Sequence, residues 1–322
     1  MNTARYIERR VASGLLLLLA VSLLSFSLSA LAPGSFLDEM KLNPQISPET
    51  FTALRAQYGL DQPIALRYAH WLRAALHGDL GFSFAYNAPV SSLIWNRCGN
   101  TLLLTGTATF LVWLLAVPLG ILSAAKGGWL DRICSFGSSL LLSVPEIVIA
   151  LALLAFAVRS GRLPIGGMAS LNAEDFSLTQ RIRDTVLHLV VPAAALVLAA
   201  LPIVLRHTRT AMAEVLQAPF IKAATGHGIF RVRLLLRHAL PAAASPLISL
   251  FGFSIAGLLS ASLLIEVITG WPGLGPLFLE SIFARDFQVV IAVVMVSSAL
   301  LVVGNLMSDL LLYAFDPRIR VE

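Results

Sequence analysis

The chain has 322 residues, of which 57% are hydrophobic and only 13% charged, with a formal net charge of +5. A soluble domain carries about 25% charged residues, so water is not the only solvent this chain meets. No basic patch interleaved with aromatic residues suggests nucleic acid as the reason for the positive balance.

In chain order, runs free of Asp, Glu, Lys and Arg cover 11–37, 98–125, 185–205, 238–265 and 287–308. Each exceeds the roughly 18 apolar residues that cross a bilayer as a helix. The first run follows Arg5, Arg9 and Arg10 and ends in small residues, as a secretory signal does. It is longer than the roughly 7–15 residues of a signal core, so a retained span is expected.

Residues 33–98 form an external segment with two helix signals. Ser47-Pro48-Glu49 opens 50–58, which Gly59 stops; Asp61 and Pro63 open 64–76, which Gly78 closes. Tyr68, Trp71 and Leu72 give the second helix an apolar face suited to the membrane surface or to another chain. A sixth span is expected over 133–158, although it contains Glu146. An acid at mid-span costs about 3 kcal/mol, and each Leu, Ile, Val or Phe returns up to about 0.3–0.6 kcal/mol, so insertion wins. In a continuous helix Glu146 lies roughly 20 Å into that span, beside Pro145.

Segments 159–184 and 266–286 are rich in Gly and Pro and read as re-entrant or lid loops. The stretch 206–237 is too patterned for a simple connector. Pro219 starts a short helix, Gly226-His227-Gly228 forces a turn, and 230–240 resumes as a basic helix, an L-shaped protrusion that fits a groove on a partner. The fold class is therefore an all-α polytopic membrane protein with six transmembrane helices. Thirteen Lys and Arg fall on the side of both termini and ten on the other, which places the termini in the cytoplasm. The chain divides into an N-terminus and first span (1–32), the external segment (33–98), a membrane core with its protruding loop (99–315, loop 214–240) and a tail (316–322).

The three lysines, Lys41, Lys126 and Lys222, stand in no Gly-Lys-Ser/Thr sequence, and no histidine is followed by Glu, so neither a P-loop nor a zinc-protease motif is present. Cys98 and Cys134 fall near opposite membrane faces, too far apart for a disulfide. Catalytic residues and a metal site are not expected. Gly228 marks the elbow of the protrusion, or an ordinary turn. Glu146 is a candidate for the translocation path, or a satisfied acid inside the bundle. Glu266, before Trp271, Pro272 and Gly273, stands where an outer gate would lie, or reaches the headgroup layer. Asn305 and Asp309, four apart on the last span, bind a neighbouring subunit or each other.

Read together, several fragments resemble the B-type permease subunit of dipeptide, oligopeptide and nickel ABC importers. They are Tyr58-Gly59-Leu60-Asp61-Gln62-Pro63, Gly78-Asp79-Leu80-Gly81, Asn100-Thr101-Leu102-Leu103-Leu104, Trp129-Leu130-Asp131-Arg132, the loop around Phe220-Ile221-Lys222-Ala223-Ala224 and Gly228, Trp271-Pro272-Gly273-Leu274-Gly275, and Asp316-Pro317-Arg318-Ile319-Arg320. The resemblance implies a type I importer permease in the bacterial inner membrane, paired with a second, similar permease. It also implies two cytoplasmic ATPase subunits that use the ATP, an external solute-binding protein, and no cofactor on this chain. In that family the loop, here with Glu214, Phe220, Lys222, Ala223, Ala224, Gly228 and Arg237, is the EAA element that seats on the ATPase. Thr225, Gly226, His227 and Pro241 depart from the family pattern, which has more charge there. A dipeptide, a longer peptide, a glycoside or a nickel chelate all fit as cargo. A secondary transporter or a scaffold subunit is the rival reading.

Overall fold

The computed structural model describes residues 3–32 and 61–315; the expected helix over 50–58 and the tail 316–322 lie outside them. Helix dominates because backbone in lipid must satisfy its N–H and C=O groups within its own segment. The elements are α1 (Thr3–Leu31), α2 (Ile64–Leu76), the two-residue strands β1 (Phe82–Ser83) and β2 (Ala88–Pro89), α3 (Val90–Lys126), α4 (Gly128–Ser143) and α5 (Glu146–Ser160). They continue with α6 (Leu178–Leu216), α7 (Pro219–Gly226), α8 (Arg231–Leu234), α9 (Ala244–Thr269), α10 (Leu274–Phe283) and α11 (Phe287–Phe315). The strands pair antiparallel, Phe82 opposite Pro89 and Ser83 opposite Ala88.

Helices α1, α3, α6, α9 and α11 are long and apolar enough to cross a membrane. The expected sixth span differs from a continuous helix: α4 and α5 meet at 97°. Pro145 has no N–H for the helical ladder, and the residue before a proline avoids the helical region. Val144 is accordingly extended, at φ −99° and ψ 123°. Glu146 therefore begins a new helix instead of lying midway along an old one.

The described residues fall into two compact units. The first comprises 3–10, 102–271 and 301–315. Its core is α6, packed against α4, α5 and α9, with Leu104, Val112, Leu196, Leu258 and Ile265 buried in one cluster. Lipid tails are as apolar as Leu, so such helices are held by close packing and by hydrogen bonds between them. Small residues permit it: a Cβ added at Gly252 of α9 would stand 2.5 Å from the Cβ of Ser308 on α11. The Ser308 hydroxyl donates to the Ile248 carbonyl at 2.8 Å.

The second unit comprises 11–32, 61–101 and 272–300. The apolar face of α2, expected on the membrane surface or on another chain, packs within this chain: Trp71 is buried with Phe26 of α1 and Ile291 of α11. The Tyr68 ring meets Phe26 edge-on at 5.5 Å, and its hydroxyl lies 2.8 Å from that of Ser22. Asp286 accepts from the Ser83 hydroxyl at 2.6 Å and from the Ala85 N–H at 3.2 Å, pinning the β-turn region. Tyr86 donates to Glu280 at 2.6 Å; burial first, then that acceptor, pushes its hydroxyl up to about 12.

The segment 266–286, expected as a loop, contains α10. Gly273 caps it in extended backbone, and Pro276 sits in the first turn, where a missing N–H does no harm. Ten residues are too few to cross a bilayer.

Candidate functional site

The protruding loop follows α6. Ala218 is extended and Pro219 takes the first helical position of α7, as proline prefers. Gly226 lies inside α7, and the turn rests on Gly228, whose φ is +76°. The elbow is thus one glycine, not the expected Gly226-His227-Gly228 unit. An added Cβ at Gly228 meets nothing within 4 Å, so what requires glycine there is backbone conformation, not crowding.

The expected basic helix over 230–240 is also interrupted. After α8 the chain widens into a π turn (Leu235–Ala239), in which the Leu240 N–H reaches the Leu235 carbonyl five residues back. A short turn (Leu240–Ala242) then leads to α9. Pro241 explains the widening, because a proline ring clashes with the carbonyl four residues earlier in an α-helix.

Ile221, Leu234, Ala239 and Ala243 pack inward on Ile121 and Met212, with Ala224 against them. Glu214, Lys222, Ala223, Gly228 and Arg237 are exposed. Phe220 is 51% and Phe230 73% exposed, beside exposed Val232 and Leu236. Aromatic side chains so open among Arg231, Arg233 and Arg237 make a cationic, apolar surface.

Two ties bind this loop and the end of α6 that carries it to the junction of α3 and α4. Arg231 donates to the Ala125 carbonyl. Arg209, near the end of α6, grips Asp131 in the first turn of α4 with two bonds of 2.5 and 2.7 Å, and the Ser123 hydroxyl adds a third to Asp131 at 2.6 Å. Gly127, between α3 and α4, and Gly128, the first residue of α4, have φ of +61° and +63°, a sharp reversal that brings Asp131 back to Ser123. Sequence reasoning noted Asp131 only inside a family fragment and missed Arg209 and Ser123. The available signal was an acid and an arginine at the same-side ends of neighbouring spans.

At the head of α5 lies a cavity of about 190 Å³ lined by Glu146, Ala199, Ala200, Ile203, Ser254 and Gly257 among others. Trp113 Nε1 donates to the Ser254 hydroxyl at 3.0 Å, which fixes that wall. Ile203 also lines a second cavity of about 470 Å³, with Arg206, His207, Thr210 and Glu214. Glu146 and Glu214 are thus brought to adjoining spaces.

The remaining candidates line neither cavity. Glu266 is fully buried, which corrects the reading of a carboxylate reaching the headgroups. Its carbonyl accepts the N–H of Trp271, itself buried, at 2.9 Å. Gly273 belongs to the second unit, where the Asn100 amide donates to the Pro272 carbonyl at 2.8 Å and the Thr101 hydroxyl accepts the Leu274 N–H at 2.9 Å. Asp309 lies 3.3 Å from Arg10 of α1, so its partner is a cation on the first span. Asn305 is half-buried in α11, facing Gly252 of α9.

Residues 116–321 match the family described as "Binding-protein-dependent transport system inner membrane component", and residues 3–105 match its N-terminal counterpart. The oligopeptide transport system permease protein AppB of Bacillus subtilis is 37% identical over 98% of this chain and 99% of its own. The oligopeptide permease OppB of Mycobacterium tuberculosis is 31% identical over 99% of each chain. The dipeptide permease DppB of Escherichia coli is 30% identical over 98% of each. Among solved structures, an inward-facing MetNI methionine ABC transporter shares the fold, with a TM-score of 0.56 at 19% identity over 70% of this chain and 96% of that one.

Proposed function

Because the chain belongs to the family of binding-protein-dependent transport system inner membrane components, we propose that it is a multi-pass inner-membrane permease of an ATP-driven peptide importer. It forms half of the translocation path, and a second, similar permease supplies the other half. An external binding protein delivers the cargo, and two cytoplasmic ATPase subunits supply the energy. Both termini are cytoplasmic. Relatives named for oligopeptides and dipeptides favour peptides over nickel chelates as cargo.

The observation that carries the coupling role is the exposed cationic and apolar surface of 214–240 on a base tied by Asp131 and Arg209. A helix pair of this kind seats in a groove of a partner. Closure of the ATPase pair then moves the loop, and the ties carry that motion to α4, switching the path between its two openings. Trp271 and Gly273, with Glu266, stand at the outer gate of this scheme. Asn305 and Asp309 brace the last span.

The test is to tag the C-terminus, solubilise native membranes gently and identify the chains that copurify. A second six-span permease with ATPase subunits, and ATP-dependent peptide uptake after reconstitution, is the expected result. Recovery of this chain alone, intact and reproducibly, would overturn the reading in favour of a secondary transporter or scaffold.

A further inference from the structure

We propose that the cavity at the head of α5 recognises the protonated amine of the peptide cargo, with Glu146 as its counter-ion; this rests on the transport reading above. Glu146 is the one charged group among the described residues lining that cavity. An acid facing apolar walls in a membrane calls for a compensating cation. No ion pair among the described residues involves Glu146, so the cation is one that arrives and leaves.

The shape and chemistry fit an ammonium group. Ala199, Ala200, Gly257 and Ala261 keep the walls short, and the volume of about 190 Å³ equals roughly six water molecules, one residue's worth of space. An ammonium has three protons to place. The Glu146 carboxylate offers two oxygens. The Ser254 hydroxyl gives its proton to the Phe251 carbonyl at 2.8 Å and accepts one bond from Trp113, which leaves it a lone pair for the third. A divalent metal needs several N, O or S ligands, and no group of three His, Cys, Asp or Glu gathers among the described residues. The position is also favourable for an anion, since Glu146 opens the 15-residue helix α5 and the helix dipole stabilises negative charge in a first turn. Through Ile203 the site adjoins the larger cavity beside Arg206 and His207, an onward route toward the loop.

The experiment uses ATP-loaded proteoliposomes carrying the complete complex and saturating trialanine. Glu146→Gln is expected to slow uptake at least about tenfold, with Glu146→Asp staying within about threefold of wild type. The double variant Glu146→Gln/Ala200→Glu, which moves the carboxylate to another wall of the same cavity, is expected to recover most of the loss. Unchanged uptake by Glu146→Gln overturns the proposal. So does a loss that the transplanted carboxylate fails to restore, which assigns Glu146 a purely structural role, and so does wild-type uptake of N-acetyl-trialanine at the trialanine rate. Failure of the wild-type complex to move any peptide under ATP instead defeats the transport reading itself.

Discussion

Breaking the grip of Arg209 on Asp131 should uncouple ATP hydrolysis from transport. The contact is bidentate, with the two side chains 38% and 22% exposed. It lies between an exposed pair, worth up to about 1 kcal/mol, and a buried one, whose loss of one partner costs about 3–5 kcal/mol. Because Ser123 still serves Asp131 after the arginine is removed, Arg209→Met should cost about 2 kcal/mol, roughly a thirtyfold shift away from the tied junction. Measured on the same proteoliposomes, uptake should fall about ten- to thirtyfold while ATP hydrolysis stays within about threefold. The swap Asp131→Arg/Arg209→Asp should restore much of it, and a double-mutant cycle with Asp131→Asn should return a coupling near 2 kcal/mol. A coupling below about 0.3 kcal/mol, or parallel loss of hydrolysis and uptake, would refute the idea that the junction carries the motion.

Gly228→Asp should insert normally and abolish uptake, because it sets a carboxylate on the cationic partner-facing surface, whereas Gly228→Ala should cost about 1 kcal/mol and only weaken it, because an uncharged side chain at φ +76° is strained but unobstructed; normal uptake by the aspartate variant counts against the elbow. Gly252→Leu should lower the thermal midpoint in detergent, since the Ser308 Cβ stands 2.5 Å from the new atom and overpacking costs about 1–3 kcal/mol; a variant as stable as wild type would disprove the close approach of α9 and α11. Tyr86 is held in its neutral form, from 10.0 up to about 12, so its contribution is full below pH 10 and lost as pH rises through about 12. A thermal-midpoint series over that window should show the loss in wild type and not in Tyr86→Phe.

The long helices were legible because lipid forbids unpaired charge, and α1, α3, α6, α9 and α11 each contain a run without any. Their ends were not, because a helix continues into water where charge is welcome: α6 reaches Leu178 and Leu216, taking in Arg206, Arg209 and Glu214. The α4–α5 elbow escaped for a different reason. Summed insertion energies treat residues one at a time and ignore the hydrogen bond that Pro145 cannot make. The protruding loop was readable from Pro219 and Gly228, but nothing local distinguishes Gly226, which stays helical, from Gly228, which does not. Asp131 and Arg209 are 78 residues apart, and the walls around Glu146, small residues such as Ala199, Ala200 and Gly257 with Ile203, Phe253 and Ser254, come from other helices. Such pairings exist only once the helices have packed.

The wide turn at Leu235–Ala239 holds one residue more than an α-helix uses over the same rise. Deleting a residue there would leave the Pro241 ring against the carbonyl four residues before it, so the turn would break and not close as ordinary helix. The same deletion within α9 would rotate everything before it by roughly 100° and swing Gly252 away from Ser308. The π turn therefore carries hydrogen-bonded backbone past Pro241, so the partner-facing helices and the membrane core are joined by a near-continuous helical strut and not by a slack loop.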